Sequence, residues 1–293
     1  MNNFVCFGEV LWDVYPDKKK IGGAPLNVAL RLHLFGNNVS VISAIGNDEL
    51  GHKLKCYLLE KGLPIDGIQV HDDYKTGDVQ VSLNEKGSAT YSIEYPRAWD
   101  KVGLNNDLIQ KVASADAFVF GSLVTRDEVS KDTLYKLLEL AKYKIFDLNL
   151  RPPYYSKGIL SYLMDKADFI KFNDDELYEV STFLGSKSKN LEKNIYFISE
   201  ITDTKTICVT KGEHGAVLLY NEVLYYNSGY QIKVVDTVGA GDSFLGTLIS
   251  KLLSNLEPQN AIDYACAVGA MVAQNEGANP VLNKSDIKSF IRS

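Results

Sequence analysis

Short apolar runs alternate with longer amphipathic segments along most of the chain. Phe4 to Gly8 form a strand-type run, and Ala24 to Gly36 carries apolar residues at helical spacing, with Pro25 in its first turn. Further buried strands are expected at VSVISAIG, DAFVFGSL, YKIFDLNL, ADFIKFN and TICVTKG, and polar helical segments separate most of them. This rhythm predicts an α/β fold with a mainly parallel central sheet covered by helices.

Two segments break this rhythm and read as β-hairpins. Residues 76–95 alternate apolar and polar positions on both sides of the turn sequence NEKG, which predicts a hairpin with one buried face. This hairpin is either a sheet edge or a flap over a site, and its residues do not decide between the two. A second hairpin, GAVLLYNEVLYYN, begins at Gly215. Since no repeat or linker marks a boundary, residues 1–293 are expected to form one domain with an inserted β flap.

Composition and charge narrow the classes of protein that fit. The chain has 293 residues, 45% of them hydrophobic, and a formal net charge of −6, which argues against nucleic acid or an anionic membrane as the main partner. No apolar run approaches the roughly 20 residues of a membrane helix, and the N-terminal segment does not read as a signal peptide. The four cysteines form no C-x-x-C pair, and the histidines show no ligand spacing. We therefore expect a cytoplasmic protein without disulfides or a His/Cys metal site.

Polar residues recur directly after the predicted strands. In open α/β sheets ligands bind beyond the carboxyl ends of the strands, so these positions are informative. Any one of them alone would be ordinary loop chemistry, but their recurrence favours a ligand site. They are Glu9 and Asp13, then Asp147, Asn149 and Arg151 in FDLNLRP, Asn173 and Glu176 in KFNDDE, Thr210, Lys211 and Gly212 after TICV, and Asp236 and Thr237 after IKVV.

The stretch VVDTVGAGDSFLG, residues 234–246, reads as a strand-to-helix turn. Apolar residues repeat at three- and four-residue steps after Gly241, which predicts a helix beginning near Asp242. Gly239, Ala240 and Gly241 leave the backbone N–H groups uncovered, and a helix start is electropositive. An anion such as a phosphate is therefore expected at this turn.

Asp242 has two interpretations. It is either an N-cap that accepts hydrogen bonds from the first turn, worth about 1 kcal/mol, or a base that takes a proton from a substrate, and one residue can do both. A carboxylate at a helix start is expected to have a lowered pKa, which makes it a weak base. Phosphoryl transfer tolerates a weak base, because its loose transition state depends mainly on positioning and charge.

A second glycine site lies in KIGGAPLNVALRL. Gly22 and Gly23 allow close backbone approach, and Asn27 follows one turn into the next helix. A glycine turn before a helix is often only a turn, but with Asp13 upstream the set suits a polyhydroxylated ligand. The three lysines at 18–20 are expected to form a solvated turn. The P-loop, nucleophile-elbow and protein-kinase signatures are absent, and GAGDSF has only two glycines of a dinucleotide fingerprint.

The motifs GGAPLNVAL and DTVGAGDSF closely resemble the two signatures of the ribokinase-like (PfkB) sugar kinases, in the expected order and spacing. The resemblance spans the chain through DLNLRP, NDDE and VTKGEHGA, while FGEVLWDVYP, GGAPLNVALRL and EYPRAWD look most like bacterial fructokinases. It implies a kinase that uses ATP and Mg²⁺ to phosphorylate a sugar hydroxyl. It also implies a Rossmann-like three-layer αβα fold with a small β-sheet lid, contributed by about residues 11–21 and 74–98.

The same resemblance implies a role for each motif residue. Asp242 would be the general base, and the N–H groups of Gly239, Ala240 and Gly241 would bind the transferring phosphate. Sugar hydroxyls would be held by Asp13, Gly22, Gly23 and Asn27, the nucleotide by Asn173, Lys211, Gly212, Gly241 and Asn275, Mg²⁺ by Glu176 through water, and K⁺, which many members bind, by Asp236 and Val238. Lid hairpins often pair across a homodimer in this family, and the exposed edge of residues 76–95 suits that arrangement.

The sugar and the roles of two arginines stay open. Fructose, converted to fructose 6-phosphate, is the leading expectation. Arg97 and Arg151 either contact substrate or lie in solvent, and an arginine after DLNL would also suit the acid of 2-keto-3-deoxygluconate. Ribokinase or nucleoside kinase activity fits less well. Outside the kinases, a non-catalytic sugar sensor is disfavoured by the presence of Asp242 with its flanking glycines, and an NAD-linked oxidoreductase by the incomplete fingerprint.

Overall fold

The computed structural model describes residues 1–83 and 89–292, with side chains for all of these except residues 81–83 and 89–91. These residues form a nine-stranded sheet, a four-stranded sheet and flanking helices. The strands are β1 Asn3–Phe7, β2 Leu11–Val14, β3 Lys19–Gly22, β4 Asn38–Gly46, β5 Ile68–His71, β6 Gly77–Leu83, β7 Ala89–Ile93, β8 Ala117–Gly121, β9 Lys144–Asp147, β10 Phe169–Asn173, β11 Thr206–Thr210, β12 Ala216–Tyr220 and β13 Val223–Asn227. The helices are α1 Ala24–Leu34, α2 Glu49–Glu60, α3 Asn106–Ser114, α4 Glu128–Leu138, α5 Lys157–Lys166, α6 Asp174–Leu184, α7 Leu191–Thr202, α8 Ala240–Leu252, α9 Pro258–Ala273 and α10 Lys284–Arg292, with 3-10 turns at Ala98–Lys101, Leu123–Arg126 and Gly212–His214.

The nine-stranded sheet has the order β13-β12-β11-β10-β9-β8-β1-β4-β5. Neighbouring strands from β11 to β5 are parallel, and β12 and β13 add the antiparallel hairpin that the sequence predicted after Gly215. The chain builds β4 and β5 on one side of β1 and β8 to β11 on the other. The strand order therefore reverses between β1 and β8, and a ligand is expected beyond the carboxyl ends of the strands at such a reversal.

Helices cover both faces of this sheet. Successive residues of a strand point to opposite faces, so Val5 and Phe7 of β1 enter one apolar core, whereas Phe4 and Cys6 enter the other. Helices α3 to α7 bury their apolar residues in the first core, and α1, α2, α8 and α9 bury theirs in the second. Helix α10 packs on α9 through Ile287. This is the three-layer αβα fold with a mainly parallel sheet that the sequence predicted.

The small sheet has the order β3-β2-β6-β7 and is built from the two segments named above for the lid. β6 and β7 pair antiparallel, with Val79 opposite Ile93, which confirms the predicted hairpin. Its NEKG turn lies outside the described residues. β2 pairs in parallel with β6 and antiparallel with β3, so the lysines from position 19 onward belong to a strand and not to a solvated turn.

Helices α1 and α8 are in close contact along the second core. A Cβ placed on Gly246 of α8 would lie 3.1 Å from the Val28 carbonyl oxygen and 3.1 Å from Arg31 Cβ, so glycine permits this approach. Arg31 is buried, and its Nε donates a 3.2 Å hydrogen bond to Ser243 Oγ on α8. The two helices that begin at the two glycine motifs are thus joined directly.

Among the described helices, none has the length and apolar content needed to cross a membrane. The longest of them, α9, has 16 residues. The four cysteine thiols are unpaired, three of them buried and that of Cys56 exposed.

Candidate active site

A cleft of about 550 Å³ lies between the carboxyl ends of the central strands, the small sheet and the first turns of α1 and α8. A second cavity of about 330 Å³ lies against α8 and α9. Both are lined by Asn173, Thr210, Thr237 and Gly241, so they form one continuous groove. Larger depressions of about 720 and 840 Å³ lie beside α2 and at the amino ends of β1 and β4, and neither is lined by the glycines of the two motifs.

Asp242 lies in the first turn of α8 and lines the larger cleft, directly after Gly241, which lines both cavities. Its Oδ2 accepts a 2.8 Å hydrogen bond from Asn27 Nδ2 of α1. The helix begins at Ala240, and its N-cap residue is Gly239, with φ 75° and no side-chain cap hydrogen bond. The interpretation of Asp242 as an N-cap is therefore wrong, because this residue lies inside the first turn with its carboxylate on the cleft wall.

The electrostatic setting of Asp242 also differs from the sequence-based expectation. Burial, followed by the nearby Asp147 carboxylate, raises the pKa of Asp242 to about 6, although the sequence predicted a lowered value. The Asn27 hydrogen bond and the positive charges of Lys171 and Arg151 pull the pKa down and offset part of this rise. The carboxylate is consequently ionised at neutral pH and a better proton acceptor than an exposed aspartate.

The glycine turn before Asp242 combines a fixed backbone with open space. Gly239 has φ 75°, and a Cβ there would lie 2.3 Å from Ala278 Cβ, so only glycine fits. At Gly241 the nearest heavy atom to an added Cβ is Lys171 Nζ, at 3.9 Å, so the backbone faces the groove. The Ala240 N–H donates to the Thr237 carbonyl at 3.2 Å, and of the three predicted anion-binding N–H groups, those of Gly239 and Gly241 have no acceptor within the described chain. These two best fit an incoming phosphate oxygen.

A buried lysine, Lys171, and two carboxylates, those of Asp147 and Glu176, form a cluster at the floor of the groove. Lys171 Nζ lies 2.8 Å from Asp147 Oδ1, and both side chains are buried. Although burial lowers the pKa of Lys171, the Asp147 and Glu176 carboxylates raise it to about 12 overall. Burial raises the pKa of Glu176, whose two oxygens accept hydrogen bonds from the Leu150 and Asn173 N–H groups, each at 2.8 Å. Lys171 thus holds a fixed positive charge next to the glycine turn.

The part of the cleft next to the small sheet is lined by two carboxylates, from a residue after β1 and a residue in β2. Burial raises the pKa of Asp13 on β2 to about 6 and that of Glu9 to about 7. An added Cβ at Gly22 would lie 2.7 Å from Asp13 Oδ2, so glycine leaves room for that carboxylate. Gly23 is the N-cap residue of α1, with φ 110°, and a Cβ there would lie 2.4 Å from the Glu9 carbonyl oxygen. The glycines therefore bring both carboxylates close to the start of α1.

Of the residues that the family resemblance assigned to nucleotide binding, Asn173, Gly212 and Gly241 line the smaller cavity. Its other walls are mainly apolar and include Tyr230, Ile232, Val234, Phe244 and Ala270, which suits a flat heterocycle. The remaining two predicted residues lie outside the lining. Lys211 precedes the 3-10 turn and donates its N–H to the Gly215 carbonyl at 2.8 Å, and the exposed Asn275 donates to the Met271 carbonyl at 2.8 Å.

The two arginines whose roles the sequence left undecided take different positions. Arg151 lines the cleft, and its charge offsets part of the rise that burial causes in the pKa values of Glu9, Asp13 and Asp242. Arg97 lies outside the lining, with its Nε 2.6 Å from Asp78 Oδ1 on β6. The structure therefore brings Arg151, but not Arg97, together with Glu9 and Asp13 in the cleft.

The predicted cation loop, Asp236 to Val238, lies beside the groove. Asp236 Oδ1 accepts from the Val238 N–H at 3.0 Å, and its Oδ2 accepts from the Gly277 N–H at 3.1 Å and from Lys20 Nζ at 3.1 Å. Val238 itself lines the cleft. The carboxylate of this loop is thus already paired with a lysine of the small sheet.

Sequence reasoning missed two polar residues of the site. One is Lys171, a charged residue in the otherwise apolar strand FIKFN, where burial demanded a partner. The other is Asn279, whose Nδ2 donates a 2.8 Å hydrogen bond to Asn27 Oδ1. No local pattern marks Asn279, because its partner is 252 residues away in the chain.

The groove thus combines an open glycine turn at a helix start, a buried ammonium, a carboxylate of raised pKa and a polar acceptor pocket. These features, at the strand-order reversal of a three-layer αβα fold, define a phosphotransferase that acts on a hydroxyl group.

The family follows from comparison with known proteins. A family model described as pfkB family carbohydrate kinase matches residues 1–285. The chain belongs to this family and is a sugar kinase, which transfers phosphate to a hydroxyl group.

Individual relatives agree with this assignment. Fructokinase-2 of Solanum lycopersicum is 30% identical over 310 residues, covering 95% of this chain and 92% of the relative. Among solved structures, fructokinase with bound ATP from Xylella fastidiosa superposes with a TM-score of 0.86 at 21% identity, covering 99% of this chain and 98% of the other. A double-mutant fructokinase from Vibrio cholerae O395, in a form with bound fructose, ADP and potassium ion, gives a TM-score of 0.85 at 22% identity and the same coverage. The structural matches show the same fold.

Proposed function

We propose that this sugar kinase transfers the γ-phosphate of ATP to fructose and forms fructose 6-phosphate. The observation that carries the proposal is the position of Asp242, which lines the larger cleft, is hydrogen-bonded to Asn27, and directly follows Gly241, a residue that lines both cavities. A base at this position can reach a hydroxyl in one cavity while a phosphate arrives from the other. The 30% identity to a plant fructokinase over nearly the whole chain supports fructose as the acceptor.

The reaction follows from the geometry of the groove. The acceptor hydroxyl gives its proton to Asp242 as its oxygen bonds to the γ-phosphorus, and the bond from that phosphorus to the bridging oxygen of ADP breaks. The Gly239 and Gly241 N–H groups and the Lys171 ammonium stabilise the negative charge on the transferring phosphoryl oxygens. Asp242 then releases the proton to solvent. Asp13, Glu9 and Asn27 accept and donate hydrogen bonds to the sugar hydroxyls and hold the reacting hydroxyl near Asp242.

The residues on the groove floor fit a magnesium ion. Asp147 Oδ2 is buried and has no hydrogen-bond partner among the described residues, and the Glu176 carboxylate lies beside it, oriented by two backbone N–H groups. Carboxylate oxygens with water are the ligands Mg²⁺ prefers. Asp147, together with Glu176 through water, would hold the ion. When bound, Mg²⁺ neutralises charge on the β- and γ-phosphates.

A second acceptor, 2-keto-3-deoxygluconate, is favoured by one observation, the presence of Arg151 in the cleft lining. A guanidinium can pair with a sugar carboxylate through two hydrogen bonds. The neighbouring carboxylates of Glu9 and Asp13 argue the other way, because they would repel a substrate carboxylate. The balance of charge in the cleft therefore favours a neutral sugar.

An ADP-release assay with fructose, ribose, 2-keto-3-deoxygluconate and adenosine tests this assignment. Fructose is expected to give the highest kcat/KM, and the Asp242→Asn variant, purified in parallel, reports any contaminating kinase. Arg151→Gln separates the two leading candidates, since it should impair a carboxylate substrate far more than fructose. A clear preference of the wild-type enzyme for the keto acid, lost in Arg151→Gln, would replace fructose with that substrate.

The partner and location of the enzyme are further parts of the proposal. β3 and β7 are the edges of the small sheet, and an unpaired edge suits pairing with a second copy in a homodimer. Sedimentation of the purified protein tests this, and a monomer at assay concentration would contradict it. A cytoplasmic location remains the prediction made from the unpaired cysteines.

A further inference from the structure

A lysine of the small sheet reaches the loop that precedes the glycine turn. Lys20 lies in β3, and its Nζ is 3.1 Å from Asp236 Oδ2 and 3.2 Å from Glu276 Oε1. The side chains of Lys20 and Asp236 are 22% and 19% exposed, so this pair is largely shielded. The neighbouring pair of Lys18 and Glu276 is 44% and 62% exposed, which is ordinary for a surface ion pair.

Asp236 is the residue for which the family resemblance implied a bound K⁺, together with Val238. Its two carboxylate oxygens accept hydrogen bonds from the Val238 and Gly277 N–H groups, and the Lys20 ammonium supplies the counter-charge. The nearby Ala273 carbonyl accepts from the Val235 and Asp236 N–H groups at 2.8 and 3.2 Å. A potassium ion at Asp236 would have to displace the ammonium, so the loop fits the ion poorly.

The loop that contains Asp236 leads into the active site, so the Lys20 ammonium can affect the site's backbone. Val238 lines the cleft, and Gly239 is the N-cap residue of α8, three residues after Asp236. A positive charge that holds the Asp236 carboxylate therefore also holds the backbone that leads into the phosphate-binding turn. Tyr15, on the cleft wall, lies under the same ammonium, with its ring centroid 5.7 Å from Lys20 Nζ.

We propose that Lys20 replaces a monovalent cation in this enzyme. Its ammonium neutralises Asp236 and fixes residues 236–239, so the glycine turn keeps its conformation without K⁺. β3 pairs with β2, which carries Asp13 of the cleft wall, so the small sheet places this charge next to the strand that lines the cleft. The catalytic part of this inference rests on the proposed kinase function, but the binding part does not.

Thermal unfolding tests the binding part without turnover. The melting temperature is measured in potassium chloride and in tetramethylammonium chloride at matched ionic strength, so that general screening is equal. Wild-type protein is expected to melt at the same temperature in both salts, whereas Lys20→Met should melt higher in potassium chloride, because the vacated carboxylate can bind the ion. Lys18→Met is the matched control, since it removes a charge that also pairs with Glu276 and lies 5.8 Å from the Tyr15 ring centroid but makes no pair with Asp236, and it should show no preference for either salt.

Turnover in the same two salts tests the catalytic part. Wild-type and Lys18→Met enzymes should be equally active in both, and Lys20→Met should lose roughly tenfold or more in tetramethylammonium and recover in potassium. Lys20→Arg keeps the charge and should remain independent of K⁺.

Three outcomes would overturn the proposal. The first is wild-type protein that is stabilised and activated by K⁺ to the same degree as Lys20→Met. The second is Lys20→Met that folds but responds to neither salt. The third outcome applies if Lys20→Met does not fold. In that case Lys20→Arg is measured, and dependence of its stability or turnover on K⁺ would overturn the proposal. Absence of phosphorylation with every sugar would contradict the proposed function instead, and the melting experiment would still judge the role of Lys20.

Discussion

Asn279 Nδ2 donates to Asn27 Oδ1 at 2.8 Å, and this contact determines which end of the Asn27 amide faces Asp242. With its oxygen occupied by Asn279, Asn27 presents Nδ2 to the Asp242 carboxylate, at 2.8 Å. An amide in the opposite orientation would place an oxygen against that carboxylate. The loop after α9 thus orients a residue of α1, which in turn stabilises the ionised form of a residue of α8.

The first prediction concerns the pH dependence of turnover. As the proposed base, Asp242 must be ionised to accept a proton, and burial raises its pKa to about 6, so kcat/KM should fall as the pH drops below about 6 and level off above it. The Asn27 hydrogen bond lowers this pKa. In Asn27→Leu the acidic limb of the profile should therefore move to higher pH. Asn47→Leu removes an exposed amide–carboxylate bond to Asp72 and should leave the profile in place.

The second prediction concerns Asp242 as the proposed base. Asp242→Asn is expected to keep nucleotide affinity and to lose roughly 10²- to 10⁴-fold in kcat, as for removal of a general base. Calorimetric titration with an ATP analogue and single-turnover kinetics would measure the two effects separately. Asp132→Asn, at an exposed position of α4, should match the wild type. Near-normal turnover of Asp242→Asn would show that the proton goes elsewhere.

The third prediction uses the open space at Gly241. An added Cβ would have no heavy atom nearer than 3.9 Å, so Gly241→Val should fold, yet its side chain would cover the backbone that faces the groove. We expect nucleotide binding and turnover to be lost while the melting temperature changes little. Gly158→Val, in the first turn of α5 with nothing within 4 Å of an added Cβ, is the matched control. Unimpaired catalysis by Gly241→Val would argue against phosphate binding at this turn.

The fourth prediction concerns stability at the base of the small sheet. Arg126 Nε lies 2.7 Å from Asp100 Oδ1 with both side chains fully buried, and its guanidinium also donates to the Glu94 carbonyl, at 2.7 Å, just after β7. Arg126→Ala leaves a buried carboxylate unpaired, and the free energy of unfolding should fall by about 3–5 kcal/mol. Lys205→Ala breaks an exposed pair with Asp203 and should leave the free energy of unfolding almost unchanged.

Denaturant titration of these two variants compares the costs directly. Equal, small changes in both would mean that the buried pair near the small sheet does not contribute to stability as proposed.

Much of the fold could be predicted because burial leaves a periodic trace in the sequence. The central strands, both hairpins and the helix after Gly241 all follow from the spacing of apolar residues. The location of Asp242 was also predictable, since a glycine turn before an amphipathic helix is a local feature. Its raised pKa was not, because that value depends on burial and on Asp147, which lies about 95 residues away in the chain.

Long polar side chains were the least predictable part of the site. Arg97 and Arg151 look alike in the sequence, yet one pairs with Asp78 and the other lines the cleft. Lys20 reads as one of three solvated lysines, and only the pairing of β3 with β2 directs it towards Asp236. Such side chains have many rotamers, and the choice among them is made by partners that are distant in sequence.

The contact between α1 and α8 has a consequence for how substrate choice and proton transfer are related. Asn27 and Asp242 lie on two helices joined through Gly246 and the buried Arg31, so the pair is aligned when the protein folds and not when the sugar arrives. Asp13, by contrast, is on the small sheet. The alignment of Asn27 with Asp242 therefore costs no orientational entropy when substrate binds, whereas one of the proposed sugar-binding residues, Asp13, lies on a separate element. If Asp13 and Asp242 have the proposed roles, changes in β2 are expected to alter substrate preference without moving the Asn27–Asp242 pair.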